Sequence, residues 1–291
     1  MEFTFLLEQV VNGLVLSGYY LLLALGLSLI FSVGGIVNLA HGAFYAIGAY
    51  VSLEIIKFGG LGLSIFITPL LVTLLGILFE RFLLRRFYTA DPILSLLVTF
   101  GLAMVTEQAL RMIWGSAPHA SNMPDEFKGN IILGDFMFSK YRLFILAIVF
   151  IVMCGIWLLL HKTAFGRVVR AGVQKPDMVA VLGIKLQPYM TAIVMLGVAT
   201  AALGGVLFAP IAIVHPAMGT EIMTVAFVVV VIGGLGSFWG VILAAILVGV
   251  VRGITIYFVP SAGEASMYIL MFLILMFRPR GLLGERIERF E

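Results

Sequence analysis

Charged residues are scarce in this chain of 291 residues: Asp, Glu, Lys and Arg make up 11% of it, against 62% hydrophobic residues. A soluble domain carries about 25% charged residues. Because so few charges cannot cover a surface that faces water, lipid must face much of the protein. The composition excludes a soluble globular protein and indicates an integral membrane protein. The net charge of +3 is small and gives no reason to expect a nucleic-acid partner.

Motifs that carry chemistry are also missing. The sequence has no GxxxxGK[ST] phosphate loop, so any ATP must be hydrolysed by another chain. Its four histidines lack metal-ligand spacing, and its one cysteine, Cys154, can form no intramolecular disulfide. No nucleophile or carboxylate motif is evident. We therefore predict that the chain is not an enzyme and holds no metal or cofactor.

Long apolar runs fill the chain. A helix that spans a membrane needs about 20 mostly apolar residues, and residues 1–10, with two Glu and no basic residue, do not resemble a cleavable signal peptide. We predict an all-α, polytopic membrane protein with eight or nine transmembrane helices, interrupted helices and an internal repeat, in a single transmembrane domain over 1–291. The predicted spans are 10–32, 40–57, 61–79, 92–113, 141–160, 189–214, 221–233, 240–259 and 265–277.

Basic residues concentrate in three of the connecting segments. They are Arg81, Arg85 and Arg86; Lys162, Arg167, Arg170, Lys175 and Lys185; and Arg278, Arg280, Arg286 and Arg289. Cytoplasmic loops carry the excess of Lys and Arg. With nine spans, these three segments fall on one side, which we expect to be the cytoplasm. The N-terminus and the 114–140 loop, with Asp125, Glu126 and Asp135, are then expected outside.

The phrase VNLAHG places polar side chains, Asn38 and His41, between two apolar runs, just after the helix-breaking pair Gly34 and Gly35. Broken backbone at membrane depth is tolerated only where protein or a water-filled cavity covers it. One interpretation is that Asn38 caps the second helix, since Asn is a favoured cap, and that His41 packs against a neighbour. The other is that the break lines a transport path. The two interpretations are compatible.

A second segment of the chain has a similar sequence pattern. Residues 28–51 and 228–251 each hold an apolar helix, a Gly-Gly pair, a hydrophobe, a small polar residue, a Gly and another apolar helix. Gly34-Gly35 corresponds to Gly233-Gly234, and Asn38 roughly to Ser237. Interrupted helices in an internal repeat point to the substrate pathway of a transporter. The alternative is that glycine pairs are simply common in membrane helices.

The cytoplasmic segment 161–188 is longer than a mere connection requires. Its residues predict a short, exposed apolar helix that begins at a proline and ends at a glycine: Pro176, Asp177, Met178, Val179, Ala180, Val181, Leu182 and Gly183. Exposed apolar surface usually marks a contact. The contact is either a protein partner or, with the helix lying flat, the lipid interface.

Four segments carry a resemblance to a known family: GLSLIFSVGGIVNLAHGAFYAIGAY (26–50), TAFGRVVRAGVQKPDMVAVLGI (163–184), VVVVIGGLGSFWG (228–240) and RPRGLLG (278–284). They resemble high-affinity branched-chain amino acid permeases, the LivH-type membrane subunits of ABC importers. The resemblance implies a bacterial inner-membrane protein that pairs with a sister permease, two cytoplasmic ATPase subunits and a periplasmic binding protein. It also implies that 163–184 holds the coupling helix.

Two alternatives remain open at the level of sequence. The first is that the same kind of importer carries urea, short amides or other amino acids, since no residue excludes these substrates. The second is a secondary transporter that works alone. That class typically needs buried ionisable groups for ion coupling, and Glu107 and Arg252 are poor candidates for this role.

Overall fold

The computed structural model describes residues 2–88, 91–121, 123–133 and 136–284. Within them the chain forms ten α-helices: α1 Glu2–Gly34, α2 His41–Phe82, α3 Pro92–Trp114, α4 Lys140–Lys162, α5 Ala164–Gln174, α6 Pro176–Val181, α7 Gln187–Phe208, α8 Met218–Gly233, α9 Phe238–Phe258 and α10 Gly263–Phe277. The predicted all-α class is confirmed. The basic residues Arg286 and Arg289 and the acidic Asp135 lie outside the described residues.

Short strands occupy two of the connections. They are β1 His119–Ala120, β2 Asn130–Leu133, β3 Phe136–Ser139 and β4 Ile213–Val214. Strand β1 pairs antiparallel with β4, and β2 pairs antiparallel with β3. The 3₁₀ turns are Leu84–Phe87, Asp125–Phe127 and Pro260–Ala262. The pairing of β1 with β4 joins the loop after α3 to the connection between α7 and α8.

Helix α2 is a hairpin. Gly60 has a φ of 71° inside it, a left-handed conformation that glycine adopts readily. Along a straight helix, Phe44 and Phe79 would be about 50 Å apart, yet their ring centroids lie 5.4 Å apart. The chain therefore turns back at Gly60, and the two arms correspond to the predicted spans 40–57 and 61–79.

Seven of the described helical stretches are long and apolar enough to cross a membrane. Counting the two arms of α2 separately gives eight segments. Helix α8, with 16 residues, is a ninth apolar segment and is shorter than a full crossing. Helix α7 ends at Phe208, earlier than the predicted span 189–214, because Pro210 has no backbone N–H with which to continue the helix.

Helices α1 and α7 form the centre of the bundle. In the most apolar window of α1, 83% of the residues are buried, against 11% in Pro260–Phe277. Small residues let the central helices approach each other: a Cβ on Gly48 would lie 2.6 Å from the Ala202 oxygen, between α2 and α7. In the outer helices α3, α4 and α10, most of the apolar side chains are not buried within the bundle, which leaves them available for contact with lipid.

The basic segments gather at one end of the bundle. The Arg85 guanidinium lies 3.2 Å from the Thr191 hydroxyl, near the start of α7. Phe165, after α4, stacks on Tyr189, and the segment around Arg280 packs against Gly234. The three segments predicted to share a side therefore do so in the described part of the chain.

Candidate functional site

The first break carries the chain back into the bundle. Helix α1 ends at Gly34, and Gly35 follows with a φ of 63°. The His41 ring lies against Gly26, where an added Cβ would be 2.8 Å from Nε2. Gly26 is eight residues before the end of α1, which corresponds to about 12 Å along the helix axis. Helix α2 therefore begins inside the bundle rather than at its edge.

Asn38 shapes this segment without capping α2. Its Oδ1 accepts a hydrogen bond from the Ala40 N–H at 3.1 Å, and its carbonyl accepts one from the His41 N–H at 3.2 Å. The N-cap is Ala40, which has no side-chain acceptor to offer, so the prediction that Asn38 caps α2 is wrong. The physical reason is that Asn38 closes a turn two residues earlier, since its amide reaches the backbone of its own turn.

A threonine from α3 holds the break from the other side. Thr99 is fully buried, accepts a hydrogen bond from the Leu39 N–H at 3.1 Å and donates one to the Leu96 carbonyl, also at 3.1 Å. This contact cannot be predicted from the local sequence, because 60 residues separate Thr99 from its partner. The extended backbone at the break thus has protein partners, as irregular backbone inside a membrane requires.

The polar pair itself is enclosed. Asn38 and His41 both have no exposed surface. Within the described residues, Nδ2 of Asn38 has no hydrogen-bond partner, and the ring nitrogens of His41 make no well-formed hydrogen bond, although the Leu23 carbonyl interacts with the ring. An added Cβ on Gly26 would meet Thr200 and Gly197 of α7 as well as His41, so the ring lies where α1, α2 and α7 meet. In this conformation both side chains are closely packed, and Nδ2 of Asn38 makes no hydrogen bond.

The start of α8 matches the start of α2. Both helices begin inside the sequence pattern Ala-x-Gly, at Ala40-His41-Gly42 and Ala217-Met218-Gly219. Gly42 and Gly219 face each other, and a Cβ on either would approach the other's carbonyl oxygen closer than van der Waals contact allows. The turns before the two helices form the same backbone hydrogen bonds. In the first, the N–H groups of His41 and Ala43 donate to the carbonyls of Asn38 and Ala40. In the second, the N–H groups of Met218 and Thr220 donate to the carbonyls of His215 and Ala217.

The N-termini of α2 and α8 therefore cross inside the bundle at Gly42 and Gly219. The sequence repeat predicted a different correspondence, in which the first break pairs with residues 233–237. The signal that could have revealed it is the shared Ala-x-Gly at positions 40–42 and 217–219. Such paired interrupted helices are typical of binding regions in transporters.

The second predicted break is a tight turn. Helix α8 ends at Gly233, and Gly234 has a φ of 100°, just as α1 ends at Gly34 and Gly35 has a positive φ. The two breaks then diverge. Ser237 caps α9 by accepting a hydrogen bond from the Gly240 N–H at 3.1 Å, whereas Asn38 caps nothing. The predicted correspondence thus holds for the glycine pairs and not for Asn38 and Ser237.

The end of the described chain rests on this second turn. The N–H groups of Leu282 and Leu283 donate to the carbonyls of Ile232 and Gly233 at 2.8 and 3.1 Å. A Cβ on Gly234 would lie 2.5 Å from the Gly284 nitrogen, so only glycine leaves room for this contact. The turn that contains Gly233, Gly234 and Ser237 is therefore part of the packing at the basic end of the bundle.

The segment predicted to dock a partner folds as two short helices. Helix α5 begins after Thr163, whose hydroxyl accepts a hydrogen bond from the Gly166 N–H at 3.2 Å. Helix α6 begins at Pro176 and ends before Gly183, whose φ is 76°. Both ends of the short helix lie where the sequence predicted them, with the proline inside the start and the glycine after the end.

One residue of the predicted apolar surface faces inward. Val179 is buried within the chain, so the prediction that it is exposed is wrong. The chain folds back after α6, where the Ile184 N–H donates a hydrogen bond to the Val179 carbonyl, and the Val179 side chain lies on the side of the helix that faces the protein. The exposed apolar surface of α6 consists of Met178 (62% exposed), Val181 (84%) and Leu182 (75%). We call these three residues the α6 tip.

The sequence matches a known family model over most of its length. Residues 9–277 match the family model described as "Branched-chain amino acid transport system / permease component". The chain belongs to this permease family. It is a family of transport permeases rather than of enzymes. No group of three or more His, Cys, Asp or Glu in the described ranges could hold a metal ion.

Named relatives of the permease agree with the family match. The chain is 28% identical to the high-affinity branched-chain amino acid transport system permease protein BraD of Pseudomonas aeruginosa, over 96% of each chain. It is 25% identical to the permease protein LivH of Escherichia coli, over 98% of this chain and 97% of LivH. It is also 30% identical to the E. coli permease protein LivM, over 91% of this chain and 67% of LivM. No solved structure matches it.

Proposed function

We propose that this chain is the membrane-spanning permease subunit of an ABC importer that moves branched-chain amino acids into the cytoplasm. Energy comes from ATP hydrolysed by two cytoplasmic ATPase subunits, and a periplasmic binding protein delivers the substrate. The observation that carries the proposal is the α6 tip. In a permease of this family, three exposed apolar side chains at the basic end of the bundle offer a docking surface to a partner.

The orientation and the second permease belong to the same proposal. The basic end of the bundle lies in the cytoplasm, with the N-terminus outside and residues 1–291 acting as one permease domain in the bacterial inner membrane. The chain is similar both to LivH and to LivM, each named as a permease protein of a high-affinity branched-chain amino acid transport system. We assign it a sister permease as its membrane partner.

The substrate pathway in this proposal passes the first break. Asn38 and His41 hold polar atoms without well-formed hydrogen bonds at the point where α1, α2 and α7 meet. Unpaired buried polar groups cost about 1–3 kcal/mol each. Separation of these helices would offer the unused atoms to the charged groups of an amino acid, while the apolar walls suit its side chain. Gly34, Gly35, Gly233, Gly234 and Ser237 supply the turns on which such a separation depends.

We expect Asn38→Leu and His41→Leu each to lower uptake at least about tenfold per assembled complex. His41→Leu removes ring nitrogens that make no well-formed hydrogen bond in the described residues, so the amount of complex should stay unchanged. Asn38→Leu also leaves the buried Ala40 N–H without its acceptor, which costs about 1–3 kcal/mol, so it should lower the amount of complex as well. The measurement is labelled leucine uptake normalised to the amount of complex. Thr255→Val, which removes a hydroxyl bonded only to its own helix, is the control. Unchanged uptake in both leucine variants would return Asn38 and His41 to a packing role.

The proposal as a whole is tested by assembly. The tagged chain is co-expressed with a second permease and two ATPases of a branched-chain amino acid transport system, and the complex is purified in detergent. We expect all the subunits to co-purify in stoichiometric amounts. A chain that purifies alone and still catalyses uptake would contradict the proposal.

A further inference from the structure

A carboxylate is buried near the basic end of the bundle. Glu80, in the second arm of α2, is the one Asp or Glu in the described part of the chain that has no exposed surface. Taking a carboxylate out of water costs several kcal/mol unless charges and hydrogen bonds compensate. The partners of Glu80 therefore indicate what the fold gains from placing it there.

Three side chains from two segments hold Glu80. The Thr191 hydroxyl donates to Oε2 at 3.1 Å, and the Arg85 guanidinium lies 3.5 Å from the same oxygen. The Tyr88 hydroxyl donates to Oε1 at 3.4 Å. Arg85 also donates to the Thr191 hydroxyl at 3.2 Å, which closes a ring of contacts. We call Glu80, Arg85, Tyr88 and Thr191 the Glu80 cluster.

The cluster touches the first break. The ring of Tyr88 packs against Gly34, the last residue of α1, where an added Cβ would lie 3.1 Å from Cε1. Tyr88 is held in this place by its hydrogen bond to Glu80. The position of the carboxylate and the position of the break are therefore linked through one aromatic ring.

The cluster also touches the segment that leads from α6. Thr191 is one turn into α7, which begins at Gln187, and only residues 182–186 separate α7 from α6. This short connection offers a route by which a displacement of α6 reaches the first turns of α7. There, Thr191 provides a side-chain link to α2, and its hydroxyl has the Glu80 carboxylate as its partner from another helix.

We propose that the Glu80 cluster transmits movement of the α6 segment to the first break, with Glu80 and Thr191 as positioning residues. This inference rests on the proposed function, because it takes α6 as the segment that the ATPases move. When α6 moves, α7 carries Thr191 along, Glu80 follows through its hydrogen bond, and Tyr88 shifts against Gly34. Through the cluster, a displacement of α6 changes the position of Tyr88 against Gly34 at the first break.

A purely structural role for Glu80 predicts something different. If the cluster only stabilised the fold, its loss would lower the amount of complex, and each remaining complex would transport as many substrate molecules per ATP as before. A transmitting role predicts that the complex assembles and hydrolyses ATP while fewer substrate molecules cross per ATP. The ratio of transport to hydrolysis therefore separates the two roles.

The test measures this ratio for Thr191→Val and Glu80→Gln in proteoliposomes that contain the full complex and the binding protein. Thr191→Val removes the hydrogen bond from α7 to the Glu80 carboxylate but leaves Arg85 and Tyr88 in place against Glu80. We expect the ratio to fall at least about tenfold in both variants, which corresponds to about 1.4 kcal/mol of lost coupling. Thr255→Val is the matched control, since Thr255 also bonds the carbonyl four residues before it and has no carboxylate partner.

The outcomes distinguish the inference from the proposal beneath it. An unchanged ratio in Thr191→Val, in a wild-type complex that couples transport to hydrolysis, overturns the inference alone. If Glu80→Gln fails to assemble, the Thr191→Val ratio decides. A wild-type chain that recruits no ATPase overturns the proposed function and the inference with it.

Discussion

Val181→Asp is expected to release the ATPase subunits while the permease remains inserted and paired with its sister chain. Val181 is the most exposed residue of the α6 tip, and its side chain has no packing role within the described chain that the change would disturb. Docking would bury the new carboxylate against an apolar surface, which costs several kcal/mol. Since 1.4 kcal/mol is about a tenfold change in Kd, we expect the Kd for the ATPases to rise more than about a hundredfold.

The measurement is a pull-down of the ATPases by the tagged permease, followed by a titration of the purified components. Val259→Asp, at an exposed position at the opposite end of the bundle, controls for a general effect of the added charge. If α6 instead lay on the lipid surface, the many spanning helices would keep the permease in the membrane and the ATPases would stay bound. Full retention of the ATPases by Val181→Asp would therefore contradict the docking assignment.

A second change has an equally large expected effect, on folding. We expect Gly42→Leu to prevent accumulation of the folded permease, because Gly42 faces Gly219 backbone to backbone where α2 and α8 cross. A side chain there would have to push two central helices apart. Overpacking typically costs about 1–3 kcal/mol even where side chains can adjust, and here the obstructing atoms belong to the backbone. The measurement is the yield and the thermal stability of the protein in detergent.

Gly101→Leu is the matched control for this change. Gly101 lies in α3 with nothing within 4 Å of an added Cβ, so the same substitution on a helix that faces lipid is expected to leave the yield unchanged. A Gly42→Leu protein with the yield and melting temperature of the Gly101→Leu protein would show that the crossing at Gly42 is looser than described.

Local sequence was sufficient to predict much of the helical framework. Continuous apolar runs marked the spans, the hairpin turn in α2 falls between the predicted spans 40–57 and 61–79, and Pro176 and Gly183 marked the ends of α6. These signals are local, because helix length, glycine and proline act on the backbone where they stand. The glycine pairs at both breaks were likewise read correctly, and each pair ends a helix.

What the sequence did not predict depends on contacts between distant segments. The Thr191 hydroxyl donates a hydrogen bond to Glu80, although 111 residues separate the two in the sequence. No local pattern around Glu80 predicts this partner. Val179 was placed on the exposed surface because composition identifies an apolar helix but not which of its sides faces the protein. The sequence left open whether α2 starts at the edge of the bundle or inside it, because an apolar run has the same appearance in both cases.

The most direct test of the account is the uptake of labelled leucine into proteoliposomes. The vesicles contain this permease, its sister permease and the two ATPases, with the binding protein outside and ATP inside. The account predicts uptake that requires ATP, both permeases and the binding protein, and that unlabelled isoleucine and valine compete away. Uptake by this chain alone, without ATP and driven by an ion gradient, would contradict it.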